Sequence, residues 1–180
     1  MSFYTQKCIF SAIKFITMNE IEILKNAILM ERQGKAFYEH VANTTQSDAV
    51  RNIFAFMAKE EQLHIEQLSE QYTHFLNDNA FKVKEFPMGD TGFVERIMTK
   101  GICKEINAAS FEAAAISAAI DFENKAIEVY SQSAFTATDA AQKAVFTWLA
   151  DWERGHHRIL NQLNEELKEA VWYDNKFWPF

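Results

Sequence analysis

Residues 151–160 read DWERGHHRIL, and they fall in the middle of a long run with helical spacing. The apolar stripe of that run passes through Leu149, Glu153, His156 and Leu160. Steps of three and four keep side chains on one helix face, so a carboxylate and an imidazole stand where core residues belong. The departure occurs once more. In KEEQLHIEQL (59–68) the stripe passes through Met57, Glu61, His64 and Leu68.

Extending outward gives four helices. Residues 48–77 carry Val50, Phe54, Met57, Glu61, His64, Leu68 and Phe75 on one stripe, and 139–170 carry Phe146, Leu149, Glu153, His156, Leu160, Leu163 and Leu167. Each is preceded by a partner. Residues 19–44 carry Leu24, Ile28, Glu31, Lys35, Tyr38 and Ala42; residues 109–135 carry Ile116, Ala119, Glu123, Ile127 and Tyr130. The first pair is joined by NTTQSD (43–48), with Ser47 or Asp48 as N-cap, the second by FTATDA (135–140), with Thr138 or Asp139. Each half is thus an antiparallel helical hairpin.

Between the halves, 78–108 contains Pro87, Gly89 and Gly92, and a short helix is expected around 92–103. A connection of about thirty residues is far longer than a bundle turn needs and suits a crossover running the length of the bundle. The expected fold is all-α, a four-helix bundle with one long crossover between helices 2 and 3. It occupies 18–170, with 1–17 as an N-terminal extension and 171–180 (VWYDNKFWPF) as an aromatic tail.

Composition agrees. The chain has 180 residues, 48% of them hydrophobic, with only five Gly and two Pro, which favours long uninterrupted helices. A net charge of −7 argues against nucleic acid and against an anionic membrane surface. No stretch approaches the roughly 18–20 apolar residues of a membrane span. Cys8 and Cys103 form no CxxC pair. Two distant thiols fit a reducing, cytoplasmic setting. Lys14 interrupts the apolar run of the N-terminus, against a cleaved signal.

The decisive feature is a repeat. Glu61 and Glu153 each have His three residues later; Glu31 and Glu123 each have Tyr seven residues later, at Tyr38 and Tyr130. Glu31 and Glu61 are thirty residues apart, as are Glu123 and Glu153, each pair centred on its turn. Equal arms put both members of a pair at one height, roughly 20 Å from the turn. The second set follows the first at an offset of ninety-two residues. Two such hairpins packed together hold four carboxylates and two imidazoles in one layer.

A lone ExxH is ordinarily a surface pair, and a lone Tyr ordinarily a core aromatic. Two copies at identical spacing are a site. Unpaired buried carboxylates repel one another and cost several kcal/mol each to desolvate. Two divalent ions offset four negative charges, and a carboxylate-rich set with one imidazole per ion suits iron or manganese. The repeat also chooses His156 over His157, because Glu61 has its His at the third position. His157 remains close enough to act from behind the ligands. Gly155 is expected to give room for close helix packing. Met30, Met57, Met88 and Met98 are expected in core or loop, and His40 and His74 on the surface. Glu60 and Glu128 neighbour the layer in sequence but are expected on other faces.

At these residues the sequence resembles the ferritin-like di-iron superfamily, and rubrerythrin-type proteins most. AILMERQGKAFYEHVA and FMAKEEQLHIEQL look like the first two family helices, AAIDFENKAIEVYSQSA and WLADWERGHHRIL like the last two. The resemblance implies Glu61 and Glu153 as carboxylates bridging two irons. Glu31 with His64 would complete one, and Glu123 with His156 the other, with Tyr38 and Tyr130 donating hydrogen bonds to the ligands. Typical rubrerythrins carry a further Glu three residues after the third-helix ligand, where this chain has Ala126, and often a rubredoxin domain with CxxC pairs. The set is nearer the symmetric six-ligand form of bacterioferritin-like centres.

The resemblance implies a non-haem di-iron oxidoreductase reducing hydrogen peroxide or dioxygen, with a role against oxidative stress. It also implies an external electron donor such as a rubredoxin-like protein, and a homo-oligomer, a dimer before larger forms. Mn or mixed metals are alternatives to iron. Competing readings are a ferroxidase for iron storage, a non-enzymatic metal-binding bundle, and a monooxygenase or desaturase with an apolar substrate channel.

Overall fold

The computed structural model describes residues 19–87 and 111–174, with side chains as far as 169. Its helices are α1 (Glu20–Thr44), α2 (Asp48–Asp78), α3 (Phe111–Thr136) and α4 (Ala140–Asp174), with no strand among the described residues. The protein is an all-α four-helix bundle. No helix among the described residues is long and apolar enough to cross a membrane.

The ends follow capping chemistry. Asn19 Oδ1 accepts from the Glu22 amide at 2.8 Å to start α1. Ser47 Oγ accepts from Val50 at 3.3 Å to start α2. At α4, Asp139 Oδ1 accepts from Gln142 at 2.7 Å and its carbonyl from Lys143 at 3.0 Å. Each bond satisfies one of the amides that a helix start leaves open. So Ser47 and Asp139 are the caps, not their neighbours. α2 stops at Asn79, whose left-handed φ of 52° asparagine tolerates better than most residues. α4 runs on to Asp174, taking up the first residues of the expected tail.

α1 pairs with α2 and α3 with α4, and α1 also touches α3. The two turns lie at opposite ends of the bundle. Val41 and Val50, beside the first turn, share a core cluster with Ala115, Leu163 and Leu167; Ala134 and Val145, beside the second, share another with Leu24 and Phe75. The connection after α2 must therefore travel the bundle's length. Its first stretch does so against the core: Phe81 is buried, Gln71 bonds both the amide and the carbonyl of Lys82, Phe86 stacks on Trp148, and Trp148 Nε1 donates to the Pro87 carbonyl at 2.8 Å. The expected short helix at 92–103 lies outside the described residues.

The apolar stripes are rotated slightly from expectation. Ile28, Lys35 and Ile127 sit at the edge, while Ala27, Gly34 and Ala126 are buried. Gly34 is the glycine that close packing requires. A Cβ there would lie 2.8 Å from the Phe122 ring, so α1 and α3 approach through it. Gly155, expected to serve that purpose, does not: the nearest atom to its Cβ position is Arg158 Nη2 at 4.0 Å. Nothing in the structure explains Gly155.

Candidate metal centre

Between the two apolar clusters lies a polar layer made of the six residues singled out by the repeat. Glu31, Glu61, His64, Glu123, Glu153 and His156 are each at most 2% exposed. They fall into two overlapping sets, Glu31–Glu61–His64–Glu153 and Glu61–Glu123–Glu153–His156, with one donor atom per residue and all donors of a set within 4.8 Å of one another. Glu61 and Glu153 belong to both.

The oxygens sort in the same way. His64 Nδ1 lies 3.0 Å from Glu153 Oε1, 3.1 Å from Glu31 Oε2 and 3.3 Å from Glu61 Oε2. His156 Nδ1 lies 2.9 Å from Glu153 Oε2, 3.4 Å from Glu61 Oε1 and 3.5 Å from Glu123 Oε1. Each shared glutamate thus presents one oxygen to each imidazole. The terminal glutamates, Glu31 and Glu123, each face one imidazole only.

Electrostatics divides the layer too. Burial, then the charges of Glu61 and Glu153, push the Glu31 carboxyl well above its ordinary range. Burial and the Glu153 charge do the same to Glu123. Burial also pushes Glu61 upward, but hydrogen bonds with Glu31, His156 and His64 prevail and hold it low. Glu153 is likewise lowered: burial and the Glu61 charge are outweighed by the charge and closeness of His64 and by a hydrogen bond with His156. Burial opposes protonation of the imidazoles, yet both are raised, His64 by Glu153 and Glu31, His156 mainly by Glu123. Burial and mutual repulsion thus favour protons on Glu31 and Glu123, while the nearby imidazoles favour charge on Glu61 and Glu153.

Protons do not satisfy every atom. Glu123 Oε2 and Glu153 Oε1 are buried with no hydrogen-bond partner; the latter is near His64 Nδ1 but not in hydrogen-bond geometry. Two unpartnered carboxylate oxygens aimed into a layer of six O and N donors fit hard or borderline cations.

The tyrosines tie the hairpins crosswise. Tyr38 of α1 donates to Glu123 Oε1 on α3, and Tyr130 of α3 donates to Glu31 Oε1 on α1. Burial and the adjacent glutamate charge raise both phenols, so they remain donors. His157 is half-exposed, and no hydrogen bond or ion pair to the six appears among the described residues. It takes the place in the repeat that Ile65 holds in the first hairpin.

Glu60 corrects an expectation. Instead of facing away, its Oε2 accepts from Trp152 Nε1 at 2.7 Å and lies 3.4 Å from His156 Nε2. The signal in the sequence was its counterpart. Glu60 and Trp152 are related by the same offset of ninety-two residues, and the repeat changes chemistry there beside the ligands. Glu128 does face outward, near Lys125.

A bundle whose core holds two overlapping Glu3His sets has the donor layout of a carboxylate-rich metal protein. The rubrerythrin family model matches residues 22–163, and the chain belongs to the rubrerythrin family. Comparison with curated proteins and with solved structures gave no match.

Proposed function

We propose that the protein is a di-iron oxidoreductase that reduces hydrogen peroxide, or dioxygen, at the six-residue layer. The observation that carries the reading is the sharing of Glu61 and Glu153 between both donor sets. Glu31 and His64 would complete one iron position, Glu123 and His156 the other. Manganese fits the same donors.

Bound iron supplies electrons and Lewis acidity to the oxidant. The chain's own residues do the rest. Nδ1 of each imidazole and the oxygens of Glu61 and Glu153 fix the two positions side by side. Tyr38 Oη and Tyr130 Oη hold Glu123 and Glu31 in place by hydrogen bonds. Apolar clusters above and below keep the layer dry, which strengthens each charge interaction. Reducing one H2O2 to two waters consumes two electrons and two protons. In this reading the electrons come from an external donor such as a rubredoxin-like protein. The protein acts as a homo-oligomer, most simply a dimer.

A second reading, ferroxidase, draws on one observation. The residues three after the terminal glutamates are small and buried, Gly34 after Glu31 and Ala126 after Glu123, so neither of these positions adds a carboxylate to the two donor sets. Anaerobic loading with Fe(II), followed by separate additions of peroxide and dioxygen, tests both. Faster oxidation by peroxide is expected; faster oxidation by dioxygen together with a 24-mer native mass would overturn the peroxidase reading for storage. No oxidation by either would leave a non-enzymatic metal-binding bundle.

A further inference from the structure

The two imidazoles have matching neighbours at Nδ1 and different neighbours behind. His156 Nε2 lies 3.4 Å from Glu60 Oε2, an oxygen that Trp152 Nε1 holds at 2.7 Å. His64 Nε2 is buried without a hydrogen-bond partner. Its ring instead meets Trp148 and Trp152 at close to right angles, with centroids 5.4 and 5.1 Å away. The cause is one position of the repeat. Glu60 precedes Glu61, and Trp152 precedes Glu153. Each reaches across to the histidine of the other hairpin, one with a carboxylate and the other with an indole.

A carboxylate that accepts from Nε2–H fixes the tautomer, leaves the Nδ1 lone pair for the ion, and makes that nitrogen a better donor. An indole ring does none of these. We propose that Glu60 is a positioning residue that makes the two metal positions unequal. The Glu123–His156 position binds its ion more tightly; the Glu31–His64 position fills last and exchanges first. The inference rests on the two-ion reading above. Trp152 takes part on both sides, anchoring Glu60 through Nε1 and covering His64 with its ring.

Cobalt(II) titration of the whole chain, followed by visible absorption and calorimetry, tests this. The unmodified protein should bind two ions in steps at least about tenfold apart. Glu60→Gln keeps the shape and removes the charge. It should weaken the tighter step by about 10- to 100-fold and leave the other unchanged, so the steps draw together. In a His156→Ala background, Glu60→Gln should have no further effect on the remaining ion; in a His64→Ala background its full effect should persist. Trp152→Phe keeps an aromatic ring and frees Glu60, and should weaken the same step by less.

Two ions bound with both steps unchanged in Glu60→Gln would overturn this inference alone. So would an equal loss in both histidine backgrounds, or a Trp152→Phe effect confined to the weaker step. An unmodified protein that binds fewer than two ions would overturn the two-ion reading and this inference with it.

Discussion

The hairpin α1–α2 and the hairpin α3–α4 are copies in what they offer to a metal and different in what surrounds it. Glu31, Tyr38, Glu61 and His64 match Glu123, Tyr130, Glu153 and His156 one for one, and all eight are buried. The matching extends into the core: Phe54 with Phe146, Ala58 with Ala150, Leu68 with Leu160. It fails beside the imidazoles, where Glu60 on α2 and Trp152 on α4 are counterparts. Donor geometry is thus held twice over, while the groups behind the donors have diverged. Symmetry of ligands does not carry symmetry of properties.

The comparison breaks most visibly at the shared glutamates. Glu61→Ala and Glu153→Ala each remove a group common to both sets, so either should lose most of the bound metal. Metal analysis after loading with Fe(II) checks this, and two ions retained by both variants would sink the site. Glu31→Ala and Glu123→Ala each touch one set and should lose about one ion.

The ion-free protein should show a large pH dependence. His64 and His156 are raised above their ordinary 6.5, and Glu31 and Glu123 above 4.5, so the folded chain binds more protons than the unfolded one. Stability must then fall as pH rises, by about 1.4 kcal/mol per pH unit for each proton retained. Glu61 and Glu153, both lowered, act oppositely, and their contribution disappears as pH falls below 4.5. Ion-free protein should be most stable near pH 4.5, weaken above it as the contribution of Glu31 and Glu123 fades, and weaken more steeply above pH 6.5 as the imidazoles join them. Thermal melts from pH 5 to 9 with a chelator check this; a flat profile would contradict it. Loading should flatten the decline and release protons, visible by calorimetry in buffers of different ionisation enthalpy.

Tyr38→Phe and Tyr130→Phe test the crosswise ties. Each leaves a buried glutamate oxygen short of a donor, which costs about 1–3 kcal/mol. The two losses should be nearly equal in urea unfolding, because the ties are reciprocal. A marked inequality would show that the hairpins differ here as well.

The glycines give the smallest effects, of opposite sign. Gly155→Ala meets open space and should stabilise by about 0.5–1 kcal/mol through helix propensity. Gly34→Ala drives a methyl into Phe122, which itself packs edge-on against Tyr38, and should destabilise by about 1 kcal/mol or more. Paired melts of the two variants check this.

The bundle and the six donors were legible because periodicity and an exact repeat are properties of sequence alone. Glu153 and His156 on an apolar stripe are anomalous one at a time; at matching places in two hairpins they specify a layer. What lay behind the donors was not legible in that way. Glu60 is about 100° round the helix from Glu61. Whether that direction means solvent or another helix depends on how the hairpins dock. Gly34 and Gly155 show the same limit, since helical spacing does not say which glycine a neighbouring helix approaches. Ser47 and Asp139 were narrowed to pairs of candidates, and only the observed amide contacts separate them.

One feature of the layer reaches into the making of the protein. Each donor set draws from both hairpins, so Glu31, Glu61 and His64 leave the ribosome as an incomplete trio, with Glu153 ninety-two residues behind Glu61. At cellular rates of synthesis the delay is about 5–20 s. During that interval the nascent first hairpin offers any passing cation only three of the four donors of its set. α4 closes both sets at once through Glu153, so the full set of donors is withheld until that helix is made.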